Sequence, residues 1–467
     1  MSSNDAKSLQ YLGLLDKKLT QTNSRLDALE NSLKQLVEVL KEQITGGDAN
    51  LIDNAVQRHL QPVHTSLFKL KSTTSLIARG LPRPGKKLIR VVFLVHSVET
   101  WDALHEVYTL MLQHERFDPI IITLNRDYLN AEQFAQEEIN HQGLVQLGIH
   151  PYRFMNSDDH ANDLEMLKLM NPDIIFRQSP WDISIPSSFH FHELDFAKIC
   201  YVSYGFGVVN MGGVGQSNLY FMRSCWRAYC ETTAHYDAWK YSVSKGNLAV
   251  SGSAKLDRIV EGKDNAAWPI AEEADSIRII WAPHHSLTDD WLFFSTFMSN
   301  YLQFLQLARE CPNLQIVLKP HPALFNKLVS YGLLKEQELL SYLKEFVALP
   351  NTALVTGANY IPMFWGSDIM ITDGIGFFAE YMVTEKPIIW TENPGHFPLN
   401  EIGLILQNGM YRANVFEDVV AYLEMLCVNK EDPLKEKRLD IIKQIAPHSH
   451  GSAKFIVDDI LKGMDEE

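Results

Sequence analysis

RIIWAPHHSLTDD (278–290) and SDIMITDGIGFFAEYMVTEKPIIW (367–390) decide the fold. Each opens as a short, continuous apolar run, the pattern of a parallel strand buried on both faces. Each then breaks into a loop of small, polar and, in the first, histidine residues. LKPHP (318–322) repeats the design at the end of a third apolar run. Successive buried strands ending this way, with helical stretches between them, predict βαβ units and a parallel sheet.

The pattern extends in both directions. Downstream of 278–283, strands are expected at 314–319, 352–355, 368–372 and 387–390. Helices are expected at 291–309, 334–346, 377–384, 415–427 and 434–444, and 452–463 closes the chain. Upstream, LIRVVFLV (88–95), FDPIIITL (117–124), a short strand in LGIHPYRF, 174–178, 199–203 with a glycine-rich exit to 209, and the start of NLAVSGSAKLDRIV (247–260) read as strands. Helices are expected from near Trp101, at 130–146, at 161–170 and over 226–243. GKDNAAWPIAEEADS (262–276) is polar and strand-free and marks a boundary. The fold class is therefore α/β, with two Rossmann-like domains at 86–262 and 277–446 and a closing helical segment at 447–467.

Residues 9–44 carry a different period. Leu12, Leu15, Leu19, Leu26, Leu29, Leu33, Leu36 and Leu40 alternate spacings of three and four, broken only at Thr22. About four heptads of this kind predict a coiled coil, so residues 1–80 form a helical region through which the chain self-associates. The plainer alternative is one amphipathic helix packed on its own domain. GLPRPGKK (80–87) is a linker punctuated by proline and glycine.

A chain of 467 residues exceeds one typical domain. Its net charge of −15 argues against a nucleic-acid partner. Cys200, Cys225, Cys230, Cys311 and Cys427 form no CxxC pair and no metal spacing, which suggests reduced thiols in the cytoplasm. No secretory signal and no apolar run of ~18–20 residues is present. Peripheral membrane contact stays open, through the basic segment Arg83 to Arg90 or through a partner.

Histidine, lysine and a helix-starting glycine at strand ends suit a phosphate-bearing ligand. His284 and His285 follow one strand, and Lys319 and His321 follow the next. Thr372, Asp373, Gly374 and Gly376 lie between a strand and a helix, where glycine lets a phosphate approach backbone N–H groups. Asp373 has a plainer role as helix cap, and Glu380, one turn inside, faces a ribose hydroxyl or simply solvent. In the first half, His96, Glu99 and Asp102 follow a strand, Asp182 follows another, and Tyr204-Gly205-Phe206-Gly207 follows a third. His96, Asp182 and Glu99 are the candidate acid/base groups for an acceptor. His448, His450, Gly451 and Ser452 read as a helix start. No metal pair stands out, since Asp289-Asp290 lacks supporting ligands.

At these blocks the chain resembles the CDP-glycerol glycerophosphotransferase family, of the bacterial teichoic-acid and capsule type. The matching stretches are VSGSAKLD (250–257), IIWAPHH (279–285), LKPHP (318–322) and SDIMITDGIGFFAEYMVTEKPII (367–389), with HGSAKFIVDDI (450–460) looser. The likeness spans roughly 197–462 and leaves the heptads outside it. It implies a GT-B arrangement of the two domains, with a CDP-linked donor held by the second half through His321 and Asp373–Gly376. Two positions where the family carries serine are Ile375 and Gly376 here, and Gly374 replaces an aromatic residue. Where the family places a His-Gly pair as base, this chain has Tyr204-Gly205. A phenol, with its reference pKa near ~10, is a poor base at pH 7.

The implied function is metal-independent transfer of a glycosyl or alditol-phosphate group. The donor is a nucleotide-linked substrate, no cofactor is needed, and the acceptor is a glycan or lipid-linked glycan of the bacterial surface. Two alternatives are a nucleotide-sugar epimerase of related shape and a non-catalytic, oligomeric nucleotide-binding scaffold.

Overall fold

The computed structural model describes residues 88–466, apart from 127–136, 155–160, 183–184, 210–218, 242, 244, 272, 274, 289–291, 358 and 447–450. The expected coiled coil, the linker, Asp289-Asp290, His448 and His450 lie outside the described residues.

Thirteen described strands make two sheets, and every pairing within them is parallel. The first contains β1 (Ile89–Val95), β2 (Phe117–Thr123), β3 (Tyr152–Arg153), β4 (Ile174–Arg177), β5 (Lys198–Val202), β6 (Arg227–Cys230) and β7 (Leu248–Val250), in the order β3-β2-β1-β4-β5-β6-β7. The second contains β8 (Ile277–Ala282), β9 (Leu314–Leu318), β10 (Thr352–Leu354), β11 (Ile369–Thr372), β12 (Ile388–Thr391) and β13 (Tyr411–Ala413), in the order β10-β9-β8-β11-β12-β13. In both, the chain steps outward on one side and returns to start the other. The loops after β1 and β4, and after β8 and β11, therefore part and open a crevice at the strand ends.

The continuous apolar runs form strands because both faces are covered. In β1, Val91, Phe93 and Val95 join Trp101, Val107 and Met111 on one face, while Val92 and Leu94 join Leu167 and Ile199 on the other. In β8, Trp281 stacks on Phe304 with ring centroids 4.2 Å apart, and Ile280 faces the opposite cluster. That second cluster crosses between the halves: Phe206, Val208, Val209, Leu256 and Ile259 pack into it. Backbone pairing adds to the join. Asn400 N–H donates to the Val208 carbonyl at 2.9 Å, and Val209 bridges Leu399.

The closing helix Ser452–Asp465 returns to the first half. Ala453, Ile456, Val457 and Ile460 enter the core around Trp101, and Asp459 accepts from Arg227 Nε and Tyr229 OH, both at 2.9 Å.

Two expected elements need correction. Residues 226–243 are not one helix: β6 occupies Arg227–Cys230, and a helix spans Thr233–Trp239. Ala228, Tyr229 and Cys230 are buried between β5 and β7, and Thr232 caps the helix by accepting from His235 N–H. The helix expected from 291 begins at Phe297, after Leu292 and Phe293 adopt positive φ of 56° and 51°. The strand read at 199–203 is β5, and its glycine-rich exit crosses to the second half. Helices Leu324–Ser330, Ile361–Gly366 and Glu401–Gln407 and strand β13 were not expected; each is too short to show a period. All five cysteines are free thiols. Among the described residues, no helix is long and apolar enough to cross a membrane.

Candidate functional site

His284 and His321 leave adjacent strands and are built alike. His321 N–H donates to the Pro283 carbonyl at 3.0 Å, which stitches the two loops together. His284 Nδ1 accepts Ser286 N–H at 3.2 Å, and His321 Nδ1 accepts Ala323 N–H at 3.1 Å. Each ring thus satisfies Nδ1 on the backbone two residues on, which assigns the proton of the neutral ring to Nε2. His285 packs between them, with ring centroids 4.4 Å from His284 and 3.9 Å from His321. Burial pushes His284 and His321 well below the ordinary imidazole range, and their neighbours push the same way; His285 is pushed down to about 3. At neutral pH the three rings are therefore uncharged. His284 and His321 offer Nε2–H donors, and His285 Nδ1 is buried without a hydrogen-bond partner.

Positive charge comes from Lys319. It is buried over the Tyr360 ring, 5.8 Å from the centroid, and burial lowers it to about 8 although Glu99 and Glu380 favour its charge. Lys327, on the helix Leu324–Ser330, adds a second cation near the histidines.

Asp373 does not cap the following helix. Its carboxylate accepts His284 N–H, Thr296 N–H at 2.5 Å and the Thr296 hydroxyl at 2.8 Å. It is a buried strut that fixes the loops after β8 and β11, and burial raises it to about 7. Thr372 Oγ1 donates to the Ala282 carbonyl at 2.6 Å and accepts Gly374 N–H at 2.8 Å. A Cβ on Gly374 would lie 3.0 Å from Thr372 Oγ1 and 3.3 Å from the Ala282 carbonyl oxygen, so the close approach to β8 favours glycine. The helix spans only Gly376–Met382, and the Gly374 N–H just ahead of it is already used by Thr372.

Glu380 is not a solvent-facing carboxylate. It is buried, with Oε1 2.6 Å from Lys255 Nζ and Oε2 accepting from Tyr360 OH at 2.6 Å. Lys255 lies on the helix Ala254–Glu261 of the first half, so this pair spans the crevice.

In the first half, Gln178 and Asn140 clamp the loop after β1. Gln178 Oε1 accepts the N–H groups of His96 and Ser97 at 2.8 and 3.0 Å, and Asn140 Nδ2 donates to the His96 carbonyl at 2.8 Å. His96 is buried and pushed down to about 3 by burial, with Arg177 and Arg126 adding to it. Glu99 is half-buried, accepts from Ser97 Oγ at 2.8 Å and pairs with Arg126 at 3.3 Å. It is the acidic side chain of the first half whose field reaches Lys319. Asp102 pairs with Arg258 at 3.0 Å, and Asp182 with the buried Arg177 guanidinium at 3.1 Å. Burial raises the Tyr204 phenol, which moves it further from use as a base. The Gly207 carbonyl accepts from His235 Nε2 at 2.8 Å and Asn400 Nδ2 at 2.9 Å.

The structure thus brings together His284, His285, Lys319, His321, Asp373 and Glu380, with Glu99 opposite. It does not show Asp182 or His96 against them. Sequence reading missed Lys255, Tyr360, Lys327, Gln178 and Asn140. VSGSAKLD (250–257) was singled out without a role for its lysine; a lysine inside a helix carries no local sign that it pairs across a cleft.

No family model and no curated protein matches the chain. Solved structures do. The MnaA–UDP structure from S. aureus superposes with a TM-score of 0.57 at 13% identity, covering 81% of this chain and 97% of the other. UDP-GlcNAc 2-epimerase from Neisseria meningitidis bound to UDP-GlcNAc gives 0.56 at 14%, covering 80% and 100%. The wall teichoic acid polymerase TagF gives 0.53 at 13%, covering 88% and 98%. At such identity the likeness is one of fold. The fold is GT-B. A polymerase and epimerases share the GT-B scaffold, so the scaffold does not choose between their reactions.

Proposed function

We propose that the chain is a GT-B transferase that binds a nucleotide-linked donor in the second half and passes its glycosyl or alditol-phosphate group to a cell-surface glycan acceptor. The observation that supports this most is the matched pair His284 and His321, two Nε2–H donors on adjacent strand ends beside Lys319. Neutral donors beside the Lys319 and Lys327 cations suit a phosphate chain: they can hold its oxygens as charge shifts onto the leaving group.

In glycosyl transfer the acceptor oxygen bonds to the anomeric carbon as its bond to the diphosphate breaks, and a nucleoside diphosphate leaves. In alditol-phosphate transfer the acceptor attacks the distal phosphorus and CMP leaves from a CDP-linked donor. Either route needs a base for the acceptor proton. Glu99 is our assignment, because it is partly exposed, held by Ser97 and Arg126, and within reach of the Lys319 charge. His96 is too buried and Asp182 is tied to Arg177.

The epimerases among the structural neighbours favour a second reading, a nucleotide-sugar epimerase. Incubation with CDP-, UDP- and GDP-linked donors plus a surface-glycan acceptor separates the two. Release of a nucleoside diphosphate or of CMP supports transfer. Conversion of the sugar with the nucleotide still attached supports epimerisation, and no turnover of any donor overturns both.

A further inference from the structure

A second cluster of ligating groups lies beside the β1/β4 switch point, apart from the three donor-half histidines. Asp182 follows β4, and His190 and His192 follow a single turn at Ser187–Phe189. One ligand atom from each of the three lies within 4.8 Å of the others, and all three residues are half-buried. Atoms bound to one zinc ion are about 3–3.5 Å apart, because its bonds to nitrogen and oxygen are about 2.0–2.2 Å. A spread of at most 4.8 Å leaves the three groups near that spacing.

The surrounding contacts hold the three groups in register. Arg177 Nη1 and Nη2 both donate to Asp182 Oδ1 at 3.1 Å, and Phe191 N–H donates to the same oxygen at 3.3 Å. Oδ2 takes none of these bonds. Arg177 Nη1 also donates to the Phe189 carbonyl at 3.0 Å. The residues on both sides of His190 are therefore pinned to Asp182 or to its partner. His190 Nε2 lies 3.2 Å from the Ile185 carbonyl. A carbonyl only accepts, so Nε2 carries the proton and Nδ1 keeps its lone pair. An imidazole held through its far N–H by a backbone carbonyl is the usual support of a metal-ligating histidine.

We propose that Asp182, His190 and His192 form a site for one divalent transition-metal ion of the zinc type. The Arg177 guanidinium offsets the single carboxylate charge, which disfavours magnesium and calcium. Two imidazoles with one carboxylate suit zinc, cobalt or nickel, whose bonds to nitrogen carry the affinity. The remaining coordination positions go to water or to an oxygen of whatever occupies the first half.

The test uses the full chain, stripped with chelator and titrated with Co²⁺ and then Zn²⁺. One Co²⁺ per chain is expected, with a visible d–d band that Zn²⁺ abolishes, and Zn²⁺ raises the unfolding temperature. His192→Gln weakens binding at least about tenfold and removes the thermal shift. Asp182→Asn does the same; because it also strips Arg177 of its partner, the more exposed His192 carries the decision. His321→Gln, in the other histidine cluster, leaves binding intact. Absence of a stoichiometric ion, unchanged binding in His192→Gln, or loss in His321→Gln would each overturn the site. Because the readout is binding, its failure is separate from any failure of donor turnover.

Discussion

Replacing Lys319 by methionine should stabilise the unliganded protein while removing its hold on a phosphate ligand. Burial brings Lys319 from its ordinary 10.5 to about 8, against the pull of Glu99 and Glu380. That drop is equivalent to about 3 kcal/mol against keeping the charge in the folded chain. Methionine has similar length and no charge. It forfeits the contact with the Tyr360 ring, worth about 1 kcal/mol, so the net gain at pH 7 is about 1–3 kcal/mol. The pH dependence gives a second readout. The folded chain loses this proton near pH 8 and the unfolded chain near 10.5. Between these values the unfolded chain holds more protons, so this group makes wild-type stability rise with pH. Below about pH 8 the whole cost is present. Urea unfolding at pH 7 and near pH 10 should show Lys319→Met ahead at the lower pH and the gap closing at the higher one. A variant less stable than wild type at pH 7, with a parallel pH profile, would refute the reasoning.

Three further outcomes follow from single contacts. Lys255→Met or Glu380→Gln alone breaks a buried pair and should cost about 3–5 kcal/mol, whereas the double variant should recover most of it; additive losses in urea unfolding would show that the pair is uncoupled. Gly403→Ala would place a Cβ 2.3 Å from the Val208 carbonyl oxygen, so it should push the two halves apart, cost about 1–3 kcal/mol and speed proteolysis near 203–209; an unchanged digest would refute that. Asp373→Ala leaves the His284 and Thr296 N–H groups unpaired and should lower stability by about 2–5 kcal/mol, together with nucleotide affinity; thermal unfolding equal to wild type would mean that the strut is not needed.

Much of the scaffold was readable because parallel strands buried on both faces leave continuous apolar runs. β1, β4, β8 and β11 all stand out this way, and the residues that follow them sit at the crevice by topology alone. β6 was misread because four residues cannot show a period and helix-forming residues surround it. The roles of Asp373 and Glu380 were misjudged for another reason. Their partners, Thr296 for one and Lys255 with Tyr360 for the other, are distant in sequence, and a carboxylate carries no local mark of who will neutralise it. His190 and His192 stood in plain view, but their tie to Asp182 depends on Arg177 folding the loop back.

The most direct test of the donor site is calorimetric titration of UDP and CDP into the wild-type chain and into His321→Ala. At 100-fold over its Kd, the ligand should stabilise the wild-type fold by about 2.7 kcal/mol. At least one of the two nucleotides binding wild type, with affinity at least about tenfold weaker in a folded His321→Ala, is the predicted result. Neither nucleotide binding, or equal affinity in both proteins, would contradict the account.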